Sequence, residues 1–342
     1  MDNLALFEAQ RQLVPELDPL MQKRFRILQA IQTYGPIGRR TLAEQVKLTE
    51  RDIRNELTLL AEQQLIFVQT KGVSCTQQGY EVLEQLGKLF HELSGLAHKE
   101  KQLAELLQIE QVIIVPGDVA KDSFVLEQLG KEAAIRLATF AKPASKIAVT
   151  GGSSVAAITH YLAPSPNFHD VQFIAARGGM GDEMPKQANT LASKFAKRTE
   201  STYRTLFMPE YLSEQAYQAM KNEPIVEDMM ALYEDVDIVI HGIGAAQEMA
   251  TRRKSSLEER TLLEEKGAVG EAFGYYFGED GQVVHQIRTI GIQLEQVKKC
   301  KKAIAIAAGE EKAPAIRAYF KNAAHHTVLI TDERAAHELL SN

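Results

Sequence analysis

Between Lys23 and Tyr34, apolar side chains return at Phe25, Ile27, Leu28 and Ile31, the spacing of one helical face, and Gly35-Pro36 closes the run. A second, shorter helix is predicted over Arg39 to Val46, with Leu42 and Val46 inward and Lys47-Leu48 as the turn. Thr49 then caps a third helix, "TERDIRNELTLLAEQQ", and Asp52 stands where it can return the bond in a capping-box manner. In that helix Ile53, Leu57 and Leu60 recur at i, i+4 and i+7 and face a core. Arg51, Arg54, Asn55 and Thr58 take the opposite face. "LIFVQTKGVSCT" follows as a hairpin with Lys71-Gly72 at its tip. Three helices and a hairpin in this order predict a winged helix-turn-helix over residues 1–77.

The helical period continues from Gln78 to about Leu107. Leu83, Leu86, Phe90 and Leu93 alternate spacings of three and four, a coiled-coil seam, and Leu89 and Leu96 broaden it. One connecting helix is expected over 78–108, either pairing with a second copy or packed on its own domain. Residues 109–342 then alternate strand-like and helical segments. The strand-like runs are "QVIIV", "KIAVT", "VQFIAA", "YRTLFM", "DIVIHGIG", "AIAIAA" and "TVLIT". Helices are predicted at Phe124–Phe140, Val155–Leu162, Gln187–Lys197, Ser213–Met220 and Ala313–Phe320. Near-continuous apolar strands between helices mean a parallel sheet covered on both faces, so the class is α/β with a Rossmann-like domain.

Composition adds bounds. A chain of 342 residues with 45% hydrophobic side chains supports two or three domains and a sizeable core. The only cysteines, Cys75 and Cys300, have no metal-type spacing and no disulfide framework, as in a reduced cytosolic protein. No run of about 18 apolar residues occurs, so a cytoplasmic protein without a membrane partner is expected. No metal or resident cofactor is implied. The net charge is −6, yet Leu20 to Thr76 holds nine Lys/Arg against five Asp/Glu. A basic module on an acidic body suits a DNA-binding head. Arginine can bond guanine, and asparagine adenine, through paired contacts in the major groove. The DNA candidates are Arg39, Arg40, Thr49, Arg51, Arg54, Asn55 and Thr58, with Lys71 meeting phosphate from the wing; a solvated polar face of an interaction module is the alternative.

In a parallel sheet ligands sit at the carboxyl ends of the strands. There the chain carries "TGGSS", where Gly151 and Gly152 admit an anion and Ser153 and Ser154 can donate to it at a helix start. "ARGG" ends a strand at Arg177, a two-bond clamp for phosphate. "HGIG" leads to Arg252 and Arg253, and "AAGEEKAPAI" carries Lys312. Gln187, Thr190 and Glu271 can bond sugar hydroxyls. Two or more cationic sites with polar residues between them would suit a sugar carrying two phosphates.

With "TGGSS", "ARGG", "HGIG" and "AGEEKAPAI" behind a winged helix and a connecting helix, the chain resembles the SorC/DeoR-type sugar-responsive transcription regulators. The stretches "AFGYYFGEDGQVVHQIRTIGIQL" and "TVLITDERAA" resemble the branch of that family that regulates central glycolytic genes. The resemblance implies a repressor of a triose-phosphate (glyceraldehyde-3-phosphate dehydrogenase) operon, induced by fructose-1,6-bisphosphate. It implies operator DNA and further copies of the chain as partners, a dimer becoming a tetramer on DNA. It implies one phosphate in the Gly151, Gly152, Ser153, Ser154 cradle near Lys312, the other on Arg177 and Arg252 (or Arg253), and the sugar on Gln187, Thr190 and Glu271. Family members often have Thr where this cradle has Ser; the hydroxyl is kept. The sensor domain of the family also resembles sugar-phosphate isomerases and glucosamine-6-phosphate deaminase. Those enzymes need an acid–base pair, and where the deaminase pattern has Asp-Gly-His this chain reads "GIGAAQEM", with Ala245, Ala246 and Gln247. His241 is expected to face the core or bind a backbone group. Sensing is therefore expected over catalysis. A regulator of another sugar or polyol operon, and a sugar-phosphate enzyme with a helical partner module, are the alternatives.

Overall fold

The structure is a computed structural model, and it describes residues 10, 12–179, 184–209 and 212–341. The chain divides into two compact units, Met1–Ala97 and His98–Asn342.

The first unit is built from α1 (Leu17–Tyr34), α2 (Arg39–Val46), α3 (Glu50–Glu62), the antiparallel pair β1 (Ile66–Gln69) and β2 (Gly72–Cys75), and α4 (Gln77–Leu93). It is a winged helix. Ile27, Leu28, Ile31, Leu42, Ile53, Leu57 and Leu60 are buried, so the stripes read from the sequence close one core. α1 begins six residues before the predicted start. The turn of the wing is Thr70-Lys71, because Gln69 pairs with Gly72. At the start of α3 the Thr49 hydroxyl accepts from the Asp52 amide at 3.1 Å and donates to the Asp52 carboxylate at 2.6 Å. The cap is reciprocal, but through two side chains. α3 is also pinned from behind by Glu56, which Arg24 reaches at 2.8 Å and Lys23 also pairs. Burial pushes the Glu56 carboxyl up, but hydrogen bonds and charge from Lys23 and Arg24 outweigh it and hold it below the usual range.

The single connecting helix expected over 78–108 is two helices, α4 and α5 (Leu96–Leu107). Gly95, at φ +69°, ends α4 in the left-handed conformation that caps helices. The apolar spacing from Leu93 to Leu96 runs across this break, which is why the pattern conceals it. Part of the seam packs inside the head: the Phe90 ring meets Phe25 of α1 edge-on at 4.9 Å, and Leu83 is buried. α5 is held in the second unit, where Glu100 accepts from the Ile114 amide at 2.7 Å.

The second unit contains a seven-stranded parallel sheet: β3 (Gln111–Val115), β4 (Lys146–Val149), β5 (Gln172–Ala175), β6 (Thr202–Arg204), β7 (Ile238–Gly242), β12 (Lys302–Ile306) and β13 (Thr327–Asp332). Their order in space is β3-β13-β12-β7-β4-β5-β6. Consecutive residues Ala303, Ile304, Ala305 and Ile306 are each at most 1% exposed, so both faces of the sheet are covered. From β4 the chain winds outward through β5 and β6, then returns to β4's other side with β7 and winds the opposite way. The switch point, where loops part and leave a crevice, lies between β4 and β7.

A second, antiparallel sheet was not expected. It orders β11 (Val283–Gln286), β10 (Tyr275–Gly278), β9 (Ala268–Ala272) and β8 (Gly244–Ala245). Strands of two to five residues, three of the four containing glycine, leave little alternation to read. Of the predicted strand "YRTLFM" only Tyr203 and Arg204 fall in β6, and the helix predicted at 155–162 is a short α-helix, Ser153–Ala157, followed by a 3-10 turn.

Candidate functional site

A crevice that forms a small cavity opens at the switch point. It is lined by the loop after β4 (Thr150 to Val155), Arg177 after β5, Gly242 to Gly244 at the end of β7 and beyond it, Glu248, Met249, Arg252 and Arg253 on and just after the next helix, Glu271 of β9, Phe273 of the β9–β10 turn, Ile306 of β12, and Lys312. Eight of the ten residues singled out for the effector line it: Gly151, Gly152, Ser153, Ser154, Arg177, Arg252, Glu271 and Lys312. Gln187 and Thr190 do not. Gln187 sits behind the cradle, as the residue before the helix Ala188–Thr199. Thr190 is half-buried one turn further along.

The cradle has a physical reason for both glycines. A Cβ on Gly151 would lie 2.7 Å from the Lys186 carbonyl oxygen, so no side chain fits. Gly152 takes φ +121°, a conformation closed to other residues, and meets open space on the cavity side. Its amide donates to Lys186 O at 2.9 Å, fixing the loop against the next crossover. On the far side Gly309, at φ +104°, donates to buried Asp332, which also accepts from the amides of Val119 and Ala335. The "TDERAA" stretch thus anchors the loop that presents Lys312.

Charge is concentrated here. Arg177 and Arg253 converge on buried Glu271, with Arg253 Nη2 at 2.8 Å and Arg177 Nη1 at 3.7 Å from Oε1. Arg253 also donates to the Tyr276 hydroxyl at 3.0 Å. Arg252 points differently, pairing with Glu248 at 2.8 Å on the same helix, with its side chain 32% exposed. Both arginines line the cavity, the inner one locked and the outer one on the rim. Four cations against two carboxylates leave a surplus of two positive charges among the described lining residues. His241, at the end of β7, is fully buried. Burial pushes its imidazole down to about 4, its Nδ1 lies 3.1 Å from Gly242 O, and its Nε2 lies 3.3 Å from the Tyr319 hydroxyl. Its place in the core matches the expectation.

Two family models match the chain. The "CggR N-terminal DNA binding domain" covers residues 20–90 and the "Putative sugar-binding domain" covers 91–341. The central glycolytic genes regulator of Priestia megaterium is 42% identical over 338 residues, 98% of each chain. Its namesake in Bacillus subtilis is 40% identical over 335 residues, again 98% of each. The chain belongs to the central glycolytic genes regulator family. Among solved structures, a "putative SorC family transcriptional regulator from Enterococcus faecalis" superposes with a TM-score of 0.67 at 38% identity, covering 71% of this chain and 99% of that one. This family member is a transcription regulator with a DNA-binding and a sugar-binding domain, and not an enzyme.

In the head of this regulator Arg51, Arg54, Asn55 and Thr58 are exposed together on α3, and Arg39, Arg40 and Lys71 are exposed at the start of α2 and on the wing. Two hydroxyls are already committed: Thr49 to the cap, and Thr58 to the Arg54 carbonyl at 3.0 Å. Arg40 pairs with Glu44 at 3.5 Å. No helix among the described residues is long and apolar enough to cross a membrane. Sequence reasoning missed Thr150, Glu248 and Phe273 as lining residues; the first only extends the glycine loop, and the last lies in a turn of the unforeseen sheet.

Proposed function

We propose that this chain is a cytoplasmic repressor of a glycolytic operon, the triose-phosphate segment that includes glyceraldehyde-3-phosphate dehydrogenase, and that a phosphorylated sugar releases it from its operator. The carrying observation is the cavity itself. At the switch point of the parallel sheet, a glycine cradle and a lysine face two arginines across one crevice with a net positive lining. Such a site suits a ligand with two anionic ends, and fructose-1,6-bisphosphate is that ligand in this reading. One phosphate goes to Gly151, Gly152, Ser153 and Ser154 with Lys312, the other to Arg177 and Arg252. Glu271 bonds the sugar, while Gln187 and Thr190 support the cradle from behind or join it on closure. The effector orders the loops, alters the contact between copies of the chain, and removes the fixed spacing of paired heads on DNA. The active species on DNA is a tetramer of paired dimers. Its base contacts come from Arg51, Arg54 and Asn55, and its backbone contacts from Arg39, Arg40, Thr49, Thr58 and Lys71.

One observation favours a second reading, in which a different sugar or polyol phosphate is sensed. Glu271 already neutralises part of the charge of Arg177 and Arg253, so a single phosphate in the cradle is also compatible with the lining. A mobility shift on DNA from upstream of the dehydrogenase operon separates the two. Release by fructose-1,6-bisphosphate but not by fructose-6-phosphate supports the first. A stable complex that ignores the bisphosphate but yields to another sugar phosphate supports the second.

A further inference from the structure

The hairpin between β9 and β10 turns over two residues, Phe273 and Gly274, since Ala272 pairs with Tyr275. Both have positive φ, 57° and 86°. That pair marks a type I′ turn, whose central positions favour Asn, Asp or Gly. Gly274 meets the requirement. A phenylalanine in the left-handed region is an outlier, and such outliers gather at ligand clamps. The turn itself has a purpose: the Gly274 amide donates to Glu271 Oε1 at 2.6 Å, which folds back the carboxylate that Arg253 reaches at 2.8 Å. An asparagine or glycine at position 273 would serve that turn without strain. Phe273 instead lines the cavity, and its ring lies 4.7 Å from the His241 imidazole at 43°. His241 is fixed in turn by Gly242 O and Tyr319, so the aromatic wall is rigid.

We propose that Phe273 is the residue that reads the sugar rather than its phosphates: it is the apolar wall on which the carbon face of a ring-form sugar phosphate rests. This deepens the sugar-phosphate reading above and rests on it. A furanose or pyranose presents C–H groups together on one face, and an aromatic side chain matches them. An open-chain polyol phosphate carries the same charges without such a face. The wall therefore separates ring-form from open-chain ligands of equal charge, a distinction that arginines and an amide cradle do not make.

The test is calorimetric titration of the full chain with fructose-1,6-bisphosphate, its reduced open-chain counterpart (a hexitol-1,6-bisphosphate) and inorganic phosphate. Wild type is expected to prefer the ring form. Phe273→Leu is expected to weaken the ring form by about two- to tenfold, the worth of an aromatic contact beyond its area, and to leave the other two ligands unchanged. Phe273→Tyr should keep the preference, and Phe273→Met gives the same reading if the Leu variant does not fold. Equal weakening of both bisphosphates, or no preference in wild type, overturns the proposal and leaves the sugar-phosphate reading standing. Wild type that binds neither bisphosphate overturns the proposal together with the fructose-1,6-bisphosphate assignment on which it rests.

Discussion

Glu271→Gln tests the charge arrangement of the cavity most directly. Glu271 is 3% exposed, and the Arg177 and Arg253 side chains that converge on it are 7% and 5% exposed. The substitution keeps an oxygen that can still accept from Gly274 and removes the negative charge. Breaking a buried ion pair by deleting one partner costs about 3–5 kcal/mol. The retained amide oxygen places this change at the lower end, about 3 kcal/mol. In a unit of this size each kcal/mol moves the melting temperature by about 2–4 °C, so a fall of about 6–12 °C is expected. A bound phosphate changes the balance, because it supplies negative charge where Glu271 no longer does. Ligand at one hundred times its Kd stabilises by about 2.7 kcal/mol. The variant should therefore gain more than wild type from the same bisphosphate, and the gap between them should narrow. The assay is thermal denaturation of both proteins with and without fructose-1,6-bisphosphate, following the transition of the larger unit. An unchanged melting temperature without ligand, or an identical fall with and without it, would refute the shared-carboxylate reasoning.

Arg177→Glu should keep operator binding in a mobility shift and abolish the response to sugar phosphate; loss of operator binding as well would mean that the two sites are not separate. Arg54→Ala should weaken specific operator binding by about 1–3 kcal/mol and leave sugar-phosphate titrations unchanged, and an unaltered operator affinity would reject the assigned face of α3. His241 has its folded pKa lowered to about 4 from 6.5. Its contribution to stability is complete above pH 6.5. Below that the unfolded chain takes up a proton that the folded chain refuses, so stability is lost as pH falls from about 6.5 to 4, by about 3 kcal/mol in all. Melting curves across that range should flatten in His241→Gln if the assignment is right.

The winged helix was legible almost residue by residue, because its three stripes and its caps are local. Ile53, Leu57 and Leu60 had to face inward once Thr49 capped the helix. The parallel strands were legible for a different reason: only a strand covered on both faces can be as uniformly apolar as "AIAIAA". The strand ends then named most of the cavity, since Gly151, Arg177 and Lys312 each follow a strand. What stayed hidden depends on contacts remote in sequence. Gly95 breaks a helix whose apolar spacing continues through it. The second sheet is made of strands too short to show a period, and with it went Phe273 and the true setting of Glu271. Read alone, Glu271 was expected to bond the sugar; the fold adds that its carboxylate lies between two arginines. Arg252 and Arg253 are adjacent in sequence, and only the helix that carries them shows which one is buried.

That arrangement also bears on why the proposed role of the crevice is sensing and not catalysis. A sugar-phosphate enzyme needs a group that can give and take a proton beside the sugar. Each acid that lines this cavity among the described residues is already held by an arginine, Glu248 by Arg252 and Glu271 by Arg253. The His241 imidazole is buried with both nitrogens engaged and its pKa driven down to about 4, so it stays neutral at neutral pH. The segment after β7, where acid–base groups stand in the related enzymes, holds Gly244, Ala245 and Ala246. What remains is a preformed positive crevice whose walls come from the β4 loop, the β7 loop and the antiparallel sheet. On the proposed function, a ligand that bridged these three elements would tie them together, and its binding energy would go into fixing loops instead of lowering a barrier.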